Sequence, residues 1–286
     1  MIKISDIRYA SVVVGMLESA VNANLKYGHT AKNVVSRLHG VTTGLDISVQ
    51  EGMIKSLKRK KFPADVLSEE LESSVYTGDG KRPEQPPYLV TMDPLDGTAN
   101  ANRERPSYSA TVAVLKWDCD RDKDYSFKDV VAAGTVDLVT GDMWYADDRK
   151  CLKKVGVKWD ASSTSKIVDL NSDAHFIIDL HYPDNRKLFD RLPNVKFRDY
   201  GSTAVHFAMI ADGRLDGFVS LHQKSHELGP GYLLITKAGG IVTGGDGRLL
   251  DYKTYDFSAS VPVVASANPT LHNKILAALN KYPSCF

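Results

Sequence analysis

The segment TMDPLDGTAN, residues 91–100, restricts the fold most, because it places Asp93 and Asp96 directly after an apolar run. Pro94 fixes a backbone φ angle and Gly97 permits conformations that a Cβ would forbid, so the chain can bend sharply here. Two carboxylates directed into one cavity repel each other unless a cation lies between them. With the Leu95 carbonyl they form an all-oxygen set that suits Mg²⁺. The segment therefore predicts a buried strand that ends at a cation site.

The residues after Asp96 extend this prediction to an anion. If Thr98 begins a helix, the N–H groups of Gly97, Thr98 and Ala99 have no partner within the helix and favour a phosphate. Carboxylates for a metal beside amides for a phosphate are typical of a phosphomonoesterase. The alternative is an ordinary Asp-Gly turn with Thr98 as a helix N-cap, and this segment alone leaves both interpretations open.

Two further acidic groups precede this segment. Glu69 and Glu70 are adjacent in ADVLSEEL, where a solvated helix face is the alternative to a metal site. Thr43 and Asp46 lie in TTGLD, at the predicted start of a helix, where capping alone would explain them. Taken singly, neither group distinguishes a catalytic role from a structural one.

The composition is that of a globular protein with a core, with 43% hydrophobic residues and a net charge of +1. This charge balance gives no electrostatic reason to bind a nucleic-acid polymer or an anionic membrane. No window approaches the roughly 18 apolar residues of a membrane span, and the first residues lack the pattern of a secretory signal. Cys119, Cys151 and Cys285 form no CxxC pair and predict reduced thiols. We expect a soluble cytoplasmic protein that binds a small molecule.

The spacing of apolar residues predicts helices followed by alternating strands and helices. The predicted helices cover residues 5–27, 46–60, 202–211, 231–238 and 268–279. The predicted strands cover residues 88–92, 109–117, 130–138, 143–146, 175–180, 216–221 and 261–265, and residues 72–87 predict an exposed loop. The expected fold class is therefore α/β with an α+β first half. We place the domain boundary between 165 and 166, giving domains 1–165 and 166–286.

Five motifs together resemble a known family. TTGLD, SEE, DPLDGT, GSTA and HELGPGYLLITKAGG, in this order and spacing, resemble the inositol monophosphatase superfamily. That superfamily includes inositol monophosphatases, fructose-1,6-bisphosphatases and 3′-phosphoadenosine 5′-phosphate phosphatases. The resemblance implies a layered α/β/α/β/α sugar-phosphatase fold, a Mg²⁺-dependent phosphatase activity and a homodimer.

The resemblance also implies a role for each matching residue. The ligands of two or three Mg²⁺ ions would be Glu69, Asp93, the Leu95 carbonyl, Asp96 and Glu227. The catalytic residues would be Glu69, Thr98 and Asp46. The substrate-binding residues would be Asp96, Gly97, Thr98, Gly201, Ser202, Thr203 and Ala204, the last four at the sugar or inositol end. Thr98, assisted by Asp46, would orient the attacking water, with Glu69 nearby as a base-like partner, and no covalent phosphoenzyme is needed.

The second signature departs from the family. Where the family usually has Trp-Asp-x-Ala-Ala-Gly, this chain has His226 and Glu227 followed by Leu-Gly-Pro-Gly. Glu227 keeps the charge of the aspartate but adds a methylene, so its contact must shift. His222 and His226 have the i, i+4 spacing of a metal-binding pair, but local hydrogen bonding is the favoured interpretation. Arg103, Arg105 and Lys224 either contact the substrate or are solvated.

The sequence thus predicts a Mg²⁺-dependent phosphomonoesterase of a sugar or inositol phosphate, with inositol-1-phosphate and fructose-1,6-bisphosphate as the leading substrates. One alternative is a phosphatase of 3′-phosphoadenosine 5′-phosphate or of an inositol polyphosphate. Another, of a different class, is a degenerate member that binds a phosphorylated ligand or a protein without turnover, and the replacement at Glu227 keeps this alternative open.

Overall fold

The computed structural model describes residues 9–28, 34–37, 40–118 and 124–280. The helices are α1 Ala10–Tyr27, α2 Gly44–Arg59, α3 Thr98–Asn102, α4 Thr203–Ala211, α5 Ser225–Lys237 and α6 Pro269–Asn280. The strands are β1 Val34–Arg37, β2 Gly40–Thr43, β3 Ala64–Ser68, β4 Val75–Tyr76, β5 Tyr88–Asp96, β6 Ser109–Lys116, β7 Val130–Asp137, β8 Met143–Asp147, β9 Cys151–Val155, β10 Lys158–Ala161, β11 His175–Ile178, β12 Lys196–Arg198, β13 Gly217–Lys224, β14 Ile241–Gly244 and β15 Ser260–Ser266. The predicted start of the first helix, Cys119 and Cys285 lie outside the described residues.

Two large sheets contain most of the strands. The first has eight strands in the order β10-β9-β8-β7-β6-β5-β3-β4, with β3 and β5 parallel and the other neighbours antiparallel. The second has five strands in the order β12-β11-β13-β15-β14, in which β11 is parallel to both of its neighbours. Strands β1 and β2 form a separate antiparallel pair that leads into α2.

Alternate side chains of β6 show how the layers stack, since successive residues of a strand face opposite sides. Val112 and Val114 enter the core formed with α1 and α2, whereas Ala113 and Leu115 enter the core that contains α4 and α5. In the second sheet, Phe218 faces α4 and α5, and Val219 faces α6. Helices α4 and α5 therefore lie between the two sheets. The predicted α/β/α/β/α layering is confirmed.

Several of the element predictions were wrong or incomplete. The strand predicted to end at residue 92 continues to Asp96, so both aspartates belong to β5. Seven further strands were not predicted, namely β1, β2, β3, β9, β10, β12 and β14. Strand β4 lies within the loop predicted for 72–87. Helix α5 begins at Ser225 and includes Pro230, although a proline normally disfavours a helix interior. The predicted helix had begun at Gly231, where a Cβ would collide with the ring of Phe207 on α4.

The domain division stays a prediction. The strands of the first sheet end at Ala161 and those of the second begin at His175, on either side of the predicted boundary. Helices α4 and α5, however, share one core with side chains of both sheets. Within the described residues, no helix combines the length and apolar character that crossing a membrane requires.

Candidate active site

A cavity of about 1870 Å³ opens where β3 and β5 end and α3 and α5 begin. Its lining includes these predicted site residues: Glu69, Asp93, Leu95, Asp96, Gly97, Thr98, Gly201, Ser202, Thr203 and Glu227. Two predicted site residues lie just behind the lining. Asp46 accepts a hydrogen bond from Thr98, and the backbone N–H of Ala204 donates one to Asp96. Residues separated by more than 150 positions in the sequence therefore meet in one place.

The bend in β5 directs its two aspartates into this cavity. The pairing of β5 with β6 shifts register between Asp93 and Asp96. Within the bend, Leu95 N donates a hydrogen bond of 2.9 Å to Asp93 Oδ1. Both aspartates are buried, with 2% and 7% of their surface exposed, so their charges face the cavity instead of bulk water.

The carboxylates form two groups that share Asp93. In one group, single oxygens of Asp93, Asp96 and Glu227 lie within 4.8 Å of one another. In the other, oxygens of Glu69 and Asp93 and a ring nitrogen of His226 lie within 4.8 Å of one another. Spacings of this size fit divalent cations, whose oxygen ligands lie about 2.0–2.6 Å from the ion. The groups could each hold a metal ion.

Without a cation this cluster is electrostatically unfavourable. Burial raises the pKa of Asp93 well above its ordinary value, and the charges of Glu69, Asp96 and Glu227 raise it further. Burial likewise raises the pKa of Glu227 well above its ordinary value, with Asp96 adding to the effect. The pKa of Asp96 is also raised by burial, although hydrogen bonds from the start of α4 oppose the shift. Divalent cations would relieve this repulsion.

Asp96 also joins the two halves of the site. Its Oδ2 accepts hydrogen bonds from Ser202 Oγ at 2.6 Å and from Ala204 N at 2.7 Å. These donors come from the GSTA motif, where Ser202 caps α4. Ser202 and Ala204 therefore position an aspartate, while their contact with a substrate stays a prediction.

Thr98 and Asp46 are brought together, as the sequence predicts. Thr98 Oγ1 lies 3.3 Å from Asp46 Oδ1 and 2.8 Å from the Leu95 carbonyl oxygen. The second oxygen of Asp46 accepts from the Thr43 backbone at 2.7 Å, in a capping box at the start of α2. Burial raises the pKa of Asp46 to about 6. The capping role and the proposed catalytic role thus use different oxygens of one carboxylate.

The turn before α3 requires a glycine. Gly97 has φ +88°, and an added Cβ would lie 2.9 Å from the carbonyl oxygen of Gly201. Gly97 is the N-cap and Thr98 the first helical residue, so the alternative with Thr98 as N-cap is wrong. The Thr98 side chain faces Asp46 instead of capping the helix. Phosphate binding by the N–H groups of Gly97, Thr98 and Ala99 stays a prediction.

Three residues beside the cluster were only partly foreseen. Lys224 Nζ donates to Glu69 Oε1 at 2.8 Å, so Lys224 contacts a proposed ligand as well as lining the cavity. Gln223 Nε2 donates to Glu227 Oε2. Arg103 also lines the cavity.

His226 was missed as a candidate ligand, because the sequence analysis considered it only together with His222. His222 Nε2 instead lies 4.0 Å from Asp184 Oδ2, and the ring of His222 tilts against Tyr182. His226 Nδ1 is hydrogen-bonded to the Phe257 carbonyl oxygen at 3.1 Å, across 31 positions of the sequence, so the bond is not the local one that the sequence analysis favoured. A signal was present in the sequence, since His226 stands where the related motif usually has tryptophan.

The comparison with protein families decides which family the chain belongs to. The model of the inositol monophosphatase family matches residues 4–284. The chain belongs to this family. The cavity lined by carboxylates is therefore the candidate site to compare with the corresponding cavities of other members of the inositol monophosphatase family.

Two curated relatives and a solved structure illustrate the range of that family. The bifunctional NADP phosphatase/NAD kinase of Methanococcus maripaludis is 29% identical over 82% of this chain, which spans only 42% of that protein. The fructose-1,6-bisphosphatase/inositol-1-monophosphatase of Archaeoglobus fulgidus is 29% identical over 94% of this chain and 96% of its own. The structure of inositol monophosphatase from Anabaena superimposes with a TM-score of 0.70 at 19% identity, covering 94% of both chains. This last similarity concerns the fold.

Proposed function

We propose that the protein is a Mg²⁺-dependent phosphomonoesterase that hydrolyses a sugar or inositol phosphate with a metal-activated water. The observation that carries this proposal is the meeting of Asp93, Asp96 and Glu227 with the Thr98–Asp46 pair at one cavity. The family membership and the names of the relatives support it. Because this chain spans less than half of the first relative, the activity of the whole protein is part of the proposal.

The proposed ligands are Glu69, Asp93, the Leu95 carbonyl, Asp96 and Glu227, for two or three ions. Bound Mg²⁺ supplies Lewis acidity toward the phosphoryl oxygens and lowers the pKa of water. Thr98 Oγ1 would accept a hydrogen bond from the attacking water while its own proton points to Asp46 Oδ1. The raised pKa of Asp46, about 6, suits a group that accepts a proton near neutral pH. Glu69 would assist as a second acceptor.

The phosphate would lie against the amides of Gly97 and Thr98, which would orient it toward the water. Gly201 and Thr203 would contact the alcohol part of the substrate, while Ser202 and Ala204 would act through Asp96. Each of these roles follows from the position of the residue at the cavity or next to it.

The charges of the cavity wall favour a hydroxyl-rich alcohol part. Asp179 and Asp199 line the cavity, and burial raises the pKa of Asp179, with Asp199 and Asp96 adding to the effect. Among the described lining residues, the lysine and arginine side chains are Lys224 and Arg103, and Lys224 is paired with Glu69. A second phosphate would require further cations, whereas hydroxyl groups can donate to carboxylates. We therefore favour inositol-1-phosphate over fructose-1,6-bisphosphate.

Release of inorganic phosphate from a panel of substrates tests this proposal. The panel contains inositol-1-phosphate, fructose-1,6-bisphosphate, 3′-phosphoadenosine 5′-phosphate, an inositol polyphosphate and NADP, the last because of the Methanococcus relative. We expect kcat/KM for inositol-1-phosphate to exceed that for the bisphosphate at least about tenfold, the effect of one charge-assisted hydrogen bond. A higher value for a nucleotide or polyphosphate would favour the first alternative. Binding without release from any substrate would favour the non-catalytic alternative.

The remaining expectations belong to the same proposal. A homodimer and a cytoplasmic location follow from the resemblance and the composition, and a small phosphorylated molecule is the expected partner. Light scattering of the purified chain tests the dimer, and fractionation of the source cells tests the location.

A further inference from the structure

The imidazole of His226 presents an unused nitrogen to the acidic cluster. The side chain is 5% exposed, and its Nε2 has no hydrogen-bond partner among the described residues. Leaving a buried polar atom without a partner is unfavourable, so a native structure rarely retains one without a use. The same ring belongs to the group in which ligand atoms of Glu69, Asp93 and His226 lie within 4.8 Å of one another.

The backbone determines which nitrogen faces the cluster. The carbonyl oxygen of Phe257 can only accept a hydrogen bond, so His226 Nδ1 must carry the proton and donate it at 3.1 Å. Nε2 is then the atom with the free lone pair. Histidine ligands of metals show this same division, with one ring nitrogen held by a backbone carbonyl and the other bound to the ion.

The ring is also held in orientation. It packs against the ring of Phe257 with centroids 4.7 Å apart and planes inclined by 30°. Residues Phe257 and His226 therefore contact each other twice, through the hydrogen bond and through the rings. A tryptophan, the usual residue of the family at this position, has only an N–H donor and offers no lone pair to an ion.

We infer that His226 Nε2 is a metal ligand, so that Glu69, Asp93 and His226 form a mixed nitrogen and oxygen site for a divalent first-row transition ion. The neighbouring group, Asp93, Asp96 and Glu227, is composed of carboxylates alone. Imidazole suits first-row transition ions such as Fe²⁺, Ni²⁺ and Zn²⁺, whereas all-oxygen groups suit Mg²⁺ and also accept Mn²⁺, which can serve as a paramagnetic probe. The two positions thus differ in preference, and the site holds two kinds of ion. This inference rests on the metal dependence of the proposed function, but it concerns binding and requires no turnover.

Pulsed electron paramagnetic resonance of bound Mn²⁺ tests the ligand directly. Protein loaded with one equivalent of Mn²⁺ in excess Mg²⁺ is expected to show echo modulation from an imidazole nitrogen. Labelling histidines with ¹⁵N should shift that modulation to the ¹⁵N frequency. Unmodulated echoes from the wild-type protein, or a modulation that the label leaves unshifted, would overturn the inference without any variant.

Three variants assign the nitrogen to its residue. His226→Phe keeps an aromatic ring against Phe257 but has no donor, and His226→Gln places an amide at a similar reach. Both should abolish the histidine modulation, whereas His222→Phe, a control at a partly exposed histidine, should retain it. In calorimetric titrations His226→Phe should lower Zn²⁺ affinity at least about tenfold, the usual effect of losing a metal-site partner, and change Mg²⁺ affinity much less.

Persistence of the modulation in His226→Phe, or equal loss of Zn²⁺ and Mg²⁺ affinity, would overturn the inference. Circular dichroism of each variant identifies loss of folding, and the labelled wild-type protein decides the question if His226→Phe does not fold. Failure of the phosphatase proposal looks different, because phosphate release would be absent while the nitrogen modulation remains.

Discussion

Lys224 Nζ lies 2.8 Å from Glu69 Oε1, which places an ammonium group at the edge of the acidic cluster. Burial by itself lowers the pKa of Lys224, but the charge and hydrogen bond of Glu69 outweigh it and raise the pKa above its ordinary value. Lys224 is therefore charged at neutral pH. It offsets part of the repulsion among the carboxylates, and it competes with any metal ion for an oxygen of Glu69.

Lys224→Met should therefore raise the affinity for divalent cations. The side chains of Lys224 and Glu69 are 35% and 26% exposed, and a pair of this kind contributes up to about 1 kcal/mol. Removing it corresponds to about a fivefold lower Kd for Mg²⁺, measured by calorimetry. Lys237→Met, on the same helix α5 but bonded to the Asp148 carbonyl, is the control. An unchanged or higher Kd would contradict the competition.

Removal of metal ions should abolish activity and lower stability. The carboxylates of Asp93, Asp96 and Glu227 repel one another, so an ion that binds only the folded state stabilises it by RT ln(1 + [L]/Kd), about 2.7 kcal/mol at a hundred times Kd. We expect phosphate release to stop with EDTA and to return with Mg²⁺, and the Tm to rise with Mg²⁺. Undiminished turnover in excess EDTA would exclude a metal-dependent reaction.

Asp93→Asn should separate catalysis from folding. Asp93 belongs to both candidate metal groups, and the amide keeps its shape while removing one charge. The expected loss in kcat/KM is at least about a hundredfold, or roughly 2.7 kcal/mol. The metal-free variant should be at least as stable as the wild type, because a repelled carboxylate is gone. Asp79→Asn, at an exposed aspartate paired with Lys61, is the control. Near-normal turnover of Asp93→Asn would indicate that the segment DPLDGT forms a turn and not a catalytic metal site.

The raised pKa values of the site carboxylates should make the metal-free protein less stable as pH rises. The pKa of Asp46 is raised from 3.8 to about 6, and the pKa values of Asp93 and Glu227 are raised further above their ordinary range. Between the unfolded and folded pKa values the folded state binds more protons, so the free energy of unfolding falls with increasing pH. For Asp46 this window runs from about pH 4 to about pH 6.

Urea unfolding in EDTA between pH 4 and pH 8 measures this slope. Asp93→Asn should show a shallower decline than the wild type, and Mg²⁺ should flatten the decline because the ion replaces the missing protons. Burial lowers the pKa of His206 to about 3 and that of His272 to about 4, and these groups contribute the opposite slope over the same range. The comparison between the two proteins therefore decides, and equal slopes for the wild type and Asp93→Asn would contradict the assigned shifts.

The structure of residues 91–100 could be predicted because it depends on interactions between residues that are close in the sequence. Two aspartates around a proline, followed by a glycine at φ +88°, specify a bend and a cation site within a few residues. The capping box of Thr43 and Asp46 was predictable for the same reason.

What the sequence did not reveal depends on distant contacts. Strand β3 is five residues long and is defined by its parallel pairing with β5, so its own pattern is weak. Helix α5 extends through Pro230 because it is packed between the two sheets. The approach of His226 to Glu69 joins residues 157 positions apart, and no spacing in the sequence encodes it.

Glu227 is where this chain departs from the related motif, and its variants should show whether it still binds a metal ion. One carboxylate oxygen lies within 4.8 Å of oxygens of Asp93 and Asp96, and Oε2 accepts a hydrogen bond from Gln223. Glu227→Gln should raise the Kd for Mg²⁺ and lower turnover together, each by at least about tenfold. Glu51→Gln, at an exposed position of α2, should change neither.

Glu227→Asp restores the usual residue of the family but should impair activity, because the backbone here positions a side chain that is one methylene longer. The shorter carboxylate would lose either the hydrogen bond from Gln223 or its place beside Asp93. Initial rates titrated with Mg²⁺ compare these variants with the wild type. In the metal-free state Glu227→Gln should also raise the Tm. Burial and the charge of Asp96 raise the pKa of Glu227, and the uncharged amide removes this unfavourable interaction. Superimposable Mg²⁺ curves for the wild type and Glu227→Gln would show that Glu227 is not a ligand, and that water takes its place on the ion.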